Sequence, residues 1–159
     1  MFDVTKPIAV LFILLSWTGL AGAGNVLVTK RSVHPFAETL DRLEAAARQN
    51  GLTVFTRLDH AAAAKSAGLR MPPATVLVVG NPRGGTPLFL QHPTLAIDLP
   101  LKMLVWQDQT GEVYVTYNTA VFTTAMLARH GFDSSNKKLI ADANATEAKL
   151  ETVAEAAVE

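Results

Sequence analysis

Apolar and polar positions along this chain change period several times, and each change marks an element. Asn25 to Arg31 reads as a first strand. Pro35 then opens a helix in which Phe36, Leu40, Leu43 and Ala47 recur at helical spacing until Gly51 stops it. Thr53 to Leu58 alternates as a strand, Val54 and Leu58 on one face and Phe55 and Arg57 on the other, and Asp59 ends it. Ala61 to Ala67 is a short Ala-rich helical turn closed by Gly68, and Pro72-Pro73 resets the chain before Thr75 to Val79, an apolar run suited to a buried strand. Gly80 to Gly85 reads as a turn, after which Thr86-Pro87 starts a short helix with the threonine as N-cap, and Pro93 interrupts or restarts it before Asp98. Leu101 to Trp106 and Glu112 to Tyr117 form a hairpin about Asp108-Gln109-Thr110-Gly111. Asn118 or Thr119 caps a helix carrying Phe122, Met126 and Leu127, and Gly131 closes it after Arg129 and His130, cations that suit the negative end of the helix dipole.

The succession strand, helix, four strands, helix predicts an α+β domain: a mostly antiparallel, five-stranded twisted sheet with helices on one face. Beyond it, Leu139, Ala143, Thr146, Leu150, Val153 and Ala157 mark a C-terminal amphipathic helix whose other faces are charged. Its apolar stripe is thin, so packing on the domain and acting as a loosely attached or partner-binding tail both stay open.

Composition divides the chain further. It is 49% hydrophobic and 18% charged over 159 residues, enough for one core in one domain. Ile8 to Leu20 is an uncharged run followed by Ala21-Gly22-Ala23, a small-x-small cleavage pattern, so residues 1–23 read as a signal peptide and the protein as exported, periplasmic or extracellular. The alternative is an uncleaved membrane tether, because Pro7 to Val28 is 22 residues without a charge and about 20 suffice to span a bilayer. The body of the domain is then 24–132 and the acidic, Ala-rich helix 133–159, with net charges of +3 and −3. The basic residues are spread over strands, a helix and loops and are not interleaved with aromatics, which excludes nucleic acid as a partner class. With no cysteine, disulfides, thiol catalysis and cysteine-ligated metal are excluded as well.

Candidate chemistry sits at strand ends, where rigid elements position side chains beside open loops. Asp59-His60 is one such pair. Asp59 stands where an N-cap belongs, and His60 would lie in a first helical turn, where the positive end of the dipole favours a neutral imidazole suited to ligand binding or to a base role. Gly80-Asn81-Pro82-Arg83-Gly84-Gly85-Thr86 runs from a strand into a helix start, an arrangement that presents backbone N–H groups to an anion, with Arg83 adding charge, although a plain turn is the simpler account. Asp98 and Lys102 flank an apolar edge in Asp98-Leu99-Pro100-Leu101-Lys102, where an ion pair or a turn-fixing bond is the simpler account. His92 and Asp98 do not complete a metal motif with His60, no nucleotide fingerprint is present, and no nucleophile motif appears, so no metal or cofactor is expected and no catalytic motif is recognisable.

Taken together, Asp59-His60-Ala61, Ala64, Gly68, Gly80-Asn81-Pro82, Gly85-Thr86, Asp98-Leu99-Pro100-Leu101-Lys102 and Tyr117-Asn118 resemble the domain of unknown function 302 family of small bacterial proteins, over about residues 30–131. The resemblance implies the same strand, helix, four-strand, helix fold, similar to one half of the TATA-binding-protein type, often as a homodimer. It implies no reaction, and the fold likeness implies no DNA binding.

The expectation is therefore an exported, non-enzymatic binding or accessory protein in which Asp59, His60, Asn81, Arg83, Asp98 and Lys102 are the candidates for a shared polar cluster that binds a small, anionic ligand or stabilises a dimer. Two alternatives stay open: an enzyme using His60 with Asp59 or Asp98 as an acid/base pair, and a structural interaction protein acting through the terminal helix.

Overall fold

In the computed structural model, which describes residues 25–159, five strands form one antiparallel sheet in the order β1-β5-β4-β3-β2. The strands are β1 (Leu27–Arg31), β2 (Thr53–Asp59), β3 (Ala74–Gly80), β4 (Leu101–Gln107) and β5 (Val113–Asn118). The helices are α1 (Phe36–Gln49), α2 (His60–Ser66), α3 (Pro82–Gln91), α4 (Ala120–Arg129) and α5 (Lys137–Val158), with a 3-10 turn at Pro93–Ile97. The leader expected over residues 1–23 lies outside the described residues. Among the described residues, no helix is long and apolar enough to cross a membrane.

The main core lies between one sheet face and the pair α1 and α5. Period-two alternation sends Leu77, Val79, Met103, Val105 and Val115 to that face, where all are fully buried against Leu43 and Ala47 of α1 and Val153, Ala154 and Ala157 of α5. The expected boundary after residue 132 is consequently no domain boundary, because α5 supplies part of the same core. Ion pairs fasten both helices: Lys30 Nζ of β1 lies 3.2 Å from Glu151 and 3.0 Å from Glu155, and Arg57 of β2 reaches Asp41 at 2.8 Å and Glu44 at 2.6 Å.

A bulge corrects the facing expected for β2. The register runs Val54 opposite Val79, then Thr56 opposite Val78 and Arg57 opposite Leu77, with a shift between Val54 and Thr56. One extra residue inverts the alternation, so Val54 and Arg57 share the core face and Leu58 lies on the other. The α3 helix also begins earlier than its sequence suggests. Asn81, not Thr86, is its N-cap, and Pro82 occupies the first turn, where a missing N–H costs nothing.

A second, smaller core forms beyond one end of the sheet. Leu95, Met126 and Leu127 are buried there with Leu88, Phe89 and Leu99 packed on them.

Candidate functional site

Four of the six candidate residues gather at one end of the sheet, and two are carried to the other. Gly80 pairs with Thr53 at the start of β2, whereas Asp59 pairs with Thr75 at its end. A seven-residue strand therefore separates Asp59 and His60 from Asn81, a span of about 20 Å at the usual strand rise. Asp59 Oδ1 accepts a hydrogen bond from the Ala62 N–H at 2.9 Å, capping α2. His60 is exposed, and its side chain has no hydrogen-bond or ion-pair partner among the described residues. The single shared cluster of all six residues does not form, and the proposed pairing of His60 with Asp98 has no geometric basis.

The glycine-rich segment after β3 is helix and not an open nest. Asn81 Oδ1 accepts from the Arg83 N–H at 3.0 Å, while the Asn81 carbonyl accepts from the N–H groups of Gly84 at 3.0 Å and Gly85 at 2.8 Å. These N–H groups are satisfied within the chain, so the backbone offers no anion cradle.

What the segment does supply is a wall. A cleft of about 640 Å³ opens between α3, the ends of β3 and β4, α4 and the first half of α5. Phe55, Leu88, Phe89, Leu99, Met126 and Leu139 give it an apolar lining. Its charged residues are Arg83 from α3 and Lys138, Asp142 and Lys149 from α5. Lys138 Nζ sits 2.6 Å from Asp142, whereas Arg83 and Lys149 pair with no carboxylate among the described residues. The lining thus carries three cations against one carboxylate. Lys138 and Lys149 were not among the candidates, since on a helical wheel they belong to the charged side of α5; only the angle at which α5 crosses the sheet brings them to the cleft.

Asp98 and Lys102 line a smaller recess of about 90 Å³ with Asn118 and Phe122, and Leu101, Thr123 and Met126 line both spaces. Lys102 Nζ donates to the Asp98 carbonyl oxygen. The Asp98 carboxylate is held elsewhere: His130 Nε2 donates to it at 2.6 Å and Arg129 Nε lies 3.3 Å away. Thr94 Oγ1 completes the chain, 2.9 Å from His130 Nδ1. The His130 hydrogen bond, reinforced by the charge of Arg129, holds the Asp98 carboxyl below the usual aspartate range against the opposing effect of burial. Arg129 and His130 were legible as cations at a helix C-terminus, but nothing local pointed to a partner 32 residues upstream. No group of three or more His, Cys, Asp or Glu among the described residues is placed to hold a metal ion.

Three proteins of the genus Brucella share a segment with this chain. The protein named fluoride-specific ion channel FluC 1 of Brucella suis biovar 1 (strain 1330) is 47% identical over 92 residues, 58% of this chain and 36% of its own length. Its namesake in Brucella abortus biovar 1 (strain 9-941) matches at the same identity over 34% of its length. This chain therefore spans about a third of these relatives. Among solved structures, the crystal structure of an uncharacterized conserved DUF302 protein from Bacillus stearothermophilus superposes with a TM-score of 0.69 at 22% identity, covering 83% of this chain and 98% of that one. The sequence model described as "Domain of unknown function DUF302" matches residues 28–157, a span that runs from β1 into the last turn of α5. The chain belongs to the DUF302 family.

Proposed function

We propose that this protein is a small exported binding or accessory module that holds a small anionic ligand in the cleft between α3 and α5. The observation that carries this reading is the pair Arg83 and Lys149, two cations without carboxylate partners on a concave, largely apolar surface whose other charges, Lys138 and Asp142, pair with each other. Ligand sites are typically concave, about 300–1,000 Å³, mostly apolar, and oriented by a few polar groups. The alternative acid/base role of His60 loses support, because neither aspartate lies beside it with a free carboxylate. The terminal helix acting as a detached interaction element loses support too, since its apolar stripe is covered by the sheet.

The test is native mass spectrometry of protein purified from its own host, with thermal shifts measured across a panel of anions. A bound anionic mass, and a rise in Tm that Arg83→Gln with Lys149→Gln abolishes, is the expected result. A clean apo mass with no shift for any anion overturns it.

A second reading draws on the Brucella relatives: an accessory role beside an anion-transport protein, because a segment 47% identical to part of this chain occurs within proteins named fluoride-specific ion channels. Co-purification of this chain with the remaining two thirds of the Brucella suis protein tests it, and absence of any complex at micromolar concentrations speaks against it.

A further inference from the structure

Two adjacent glycines, Gly84 and Gly85, lie inside the helix α3 and line the cleft. Neither has a positive φ. A Cβ built on Gly84 would meet nothing within 4 Å, and one on Gly85 would meet only the Phe89 ring at 3.5 Å, an ordinary contact. Glycine weakens a helix relative to alanine, and here neither backbone conformation nor internal packing requires it. The remaining physical use for a missing Cβ is close approach of something outside the chain.

Resting on the reading above, we propose that the ligand is a single-chain amphiphilic anion, of the fatty-carboxylate class. Its hydrocarbon part lies along the bare α3 backbone at Gly84 and Gly85, between Phe89, Leu139 and Met126. Its head group lies toward Arg83 and Lys149. A short inorganic anion would leave the apolar walls wet, and a cationic or neutral chain would leave both cations without a counter-charge. Apolar surface supplies most of the affinity in such a site and the cations supply orientation. The helix is weakened at those two positions so that the chain can reach van der Waals contact with its backbone.

Calorimetric titration of the full domain with dodecanoate, dodecylammonium and acetate, each as monomer, tests this. Dodecanoate should bind at one site, with dodecylammonium and acetate at least about tenfold weaker, a difference of one order in Kd. Gly84→Ala should have opposite effects on the two states: a Tm of the free protein raised by roughly 2–4 °C from better helix propensity, and dodecanoate bound about tenfold more weakly. Gly85→Ala is the second variant and should behave alike. If both alanine variants stabilise the protein and leave dodecanoate affinity unchanged, the chain seat is wrong. If acetate binds as tightly as dodecanoate and Arg83→Gln with Lys149→Gln removes both, the site takes small anions and only this inference falls. If no anion binds, the anion-site reading falls with it.

Discussion

His130 Nε2 donates a 2.6 Å hydrogen bond to Asp98 Oδ2, joining the C-cap of α4 to the corner that leads into β4. His130 is nearly enclosed, with a side chain 5% exposed, so its two ring nitrogens depend on Asp98 and Thr94 for hydrogen bonds. The Asp98 carboxyl is depressed in the folded chain, first by His130 and then by Arg129. A carboxyl that titrates lower when folded stabilises the fold above its unfolded value of about 3.9, and that contribution disappears as pH falls through the folded value. Asp98→Asn should therefore lower stability at pH 6 and lose its effect at an acid pH below the depressed folded value. Urea denaturation of both proteins at the two pH values checks this; an equal gap at both would show that the carboxylate charge is not what matters.

The burial of α5 leads to a second expectation. Val153 is fully buried in the main core, and removing two of its carbons should cost about 2 kcal/mol, more if a cavity persists. Ending the chain at residue 132 should do far worse. The truncated protein would expose the faces of α1 and of the sheet that α5 covers, and it should lose cooperative unfolding by circular dichroism. A truncated chain that melts as sharply as the whole would mean that α5 is dispensable.

Asp59 and His60, adjacent in sequence, should respond differently to alanine. Asp59 caps α2 through the Ala62 N–H, a role worth about 1 kcal/mol, whereas His60 is exposed and its replacement should stay within about 0.5 kcal/mol. Chemical denaturation of the two variants decides this, and a larger loss for His60→Ala than for Asp59→Ala would contradict the assignment.

A fourth expectation concerns the start of α4. Thr119 is its N-cap residue by position, yet its hydroxyl donates to the Asn25 carbonyl at 2.9 Å, and the Ala120 N–H is accepted instead by Glu147 Oε2 of α5 at 2.6 Å. Glu147→Ala should cost about 1–2 kcal/mol by leaving that N–H half-buried and unpaired. Glu147→Gln retains an acceptor and should recover part of the loss. Equal stabilities for the alanine and glutamine variants would rule out a capping role.

The local pattern was a good guide wherever one short-range rule governs. The α1 spacing, the alternation of β4 and β5 and the apolar run of β3 each name their element, and their order carries the sheet. Gly51, at φ 74°, stops α1 because only glycine takes that conformation freely. The bulge in β2 was hidden, since one inserted residue changes no composition and shows only against a partner strand. The start of α3 is masked in the sequence because Gly84-Gly85 resembles a turn, and Asn81, the stronger cap, falls inside that turn-like stretch. Of the residues around the cleft and the neighbouring recess, Asn81, Arg83, Asp98 and Lys102 could be located from sequence because they bracket strand ends that meet. Lys149, His130 and Glu147 could not, because their roles depend on where α4 and α5 cross the sheet.

Periodicity and turn chemistry, which act over three or four residues, were enough to specify most of the elements and the α+β class, and the kinship rests on the resemblance of a few short segments to one family. Where Asp59 and Asp98 stand relative to each other, which carboxylate faces His130, and which lysines reach the cleft were settled only by packing. Those relationships join residues tens of positions apart, and no local rule contains the angle at which one helix is laid across a sheet.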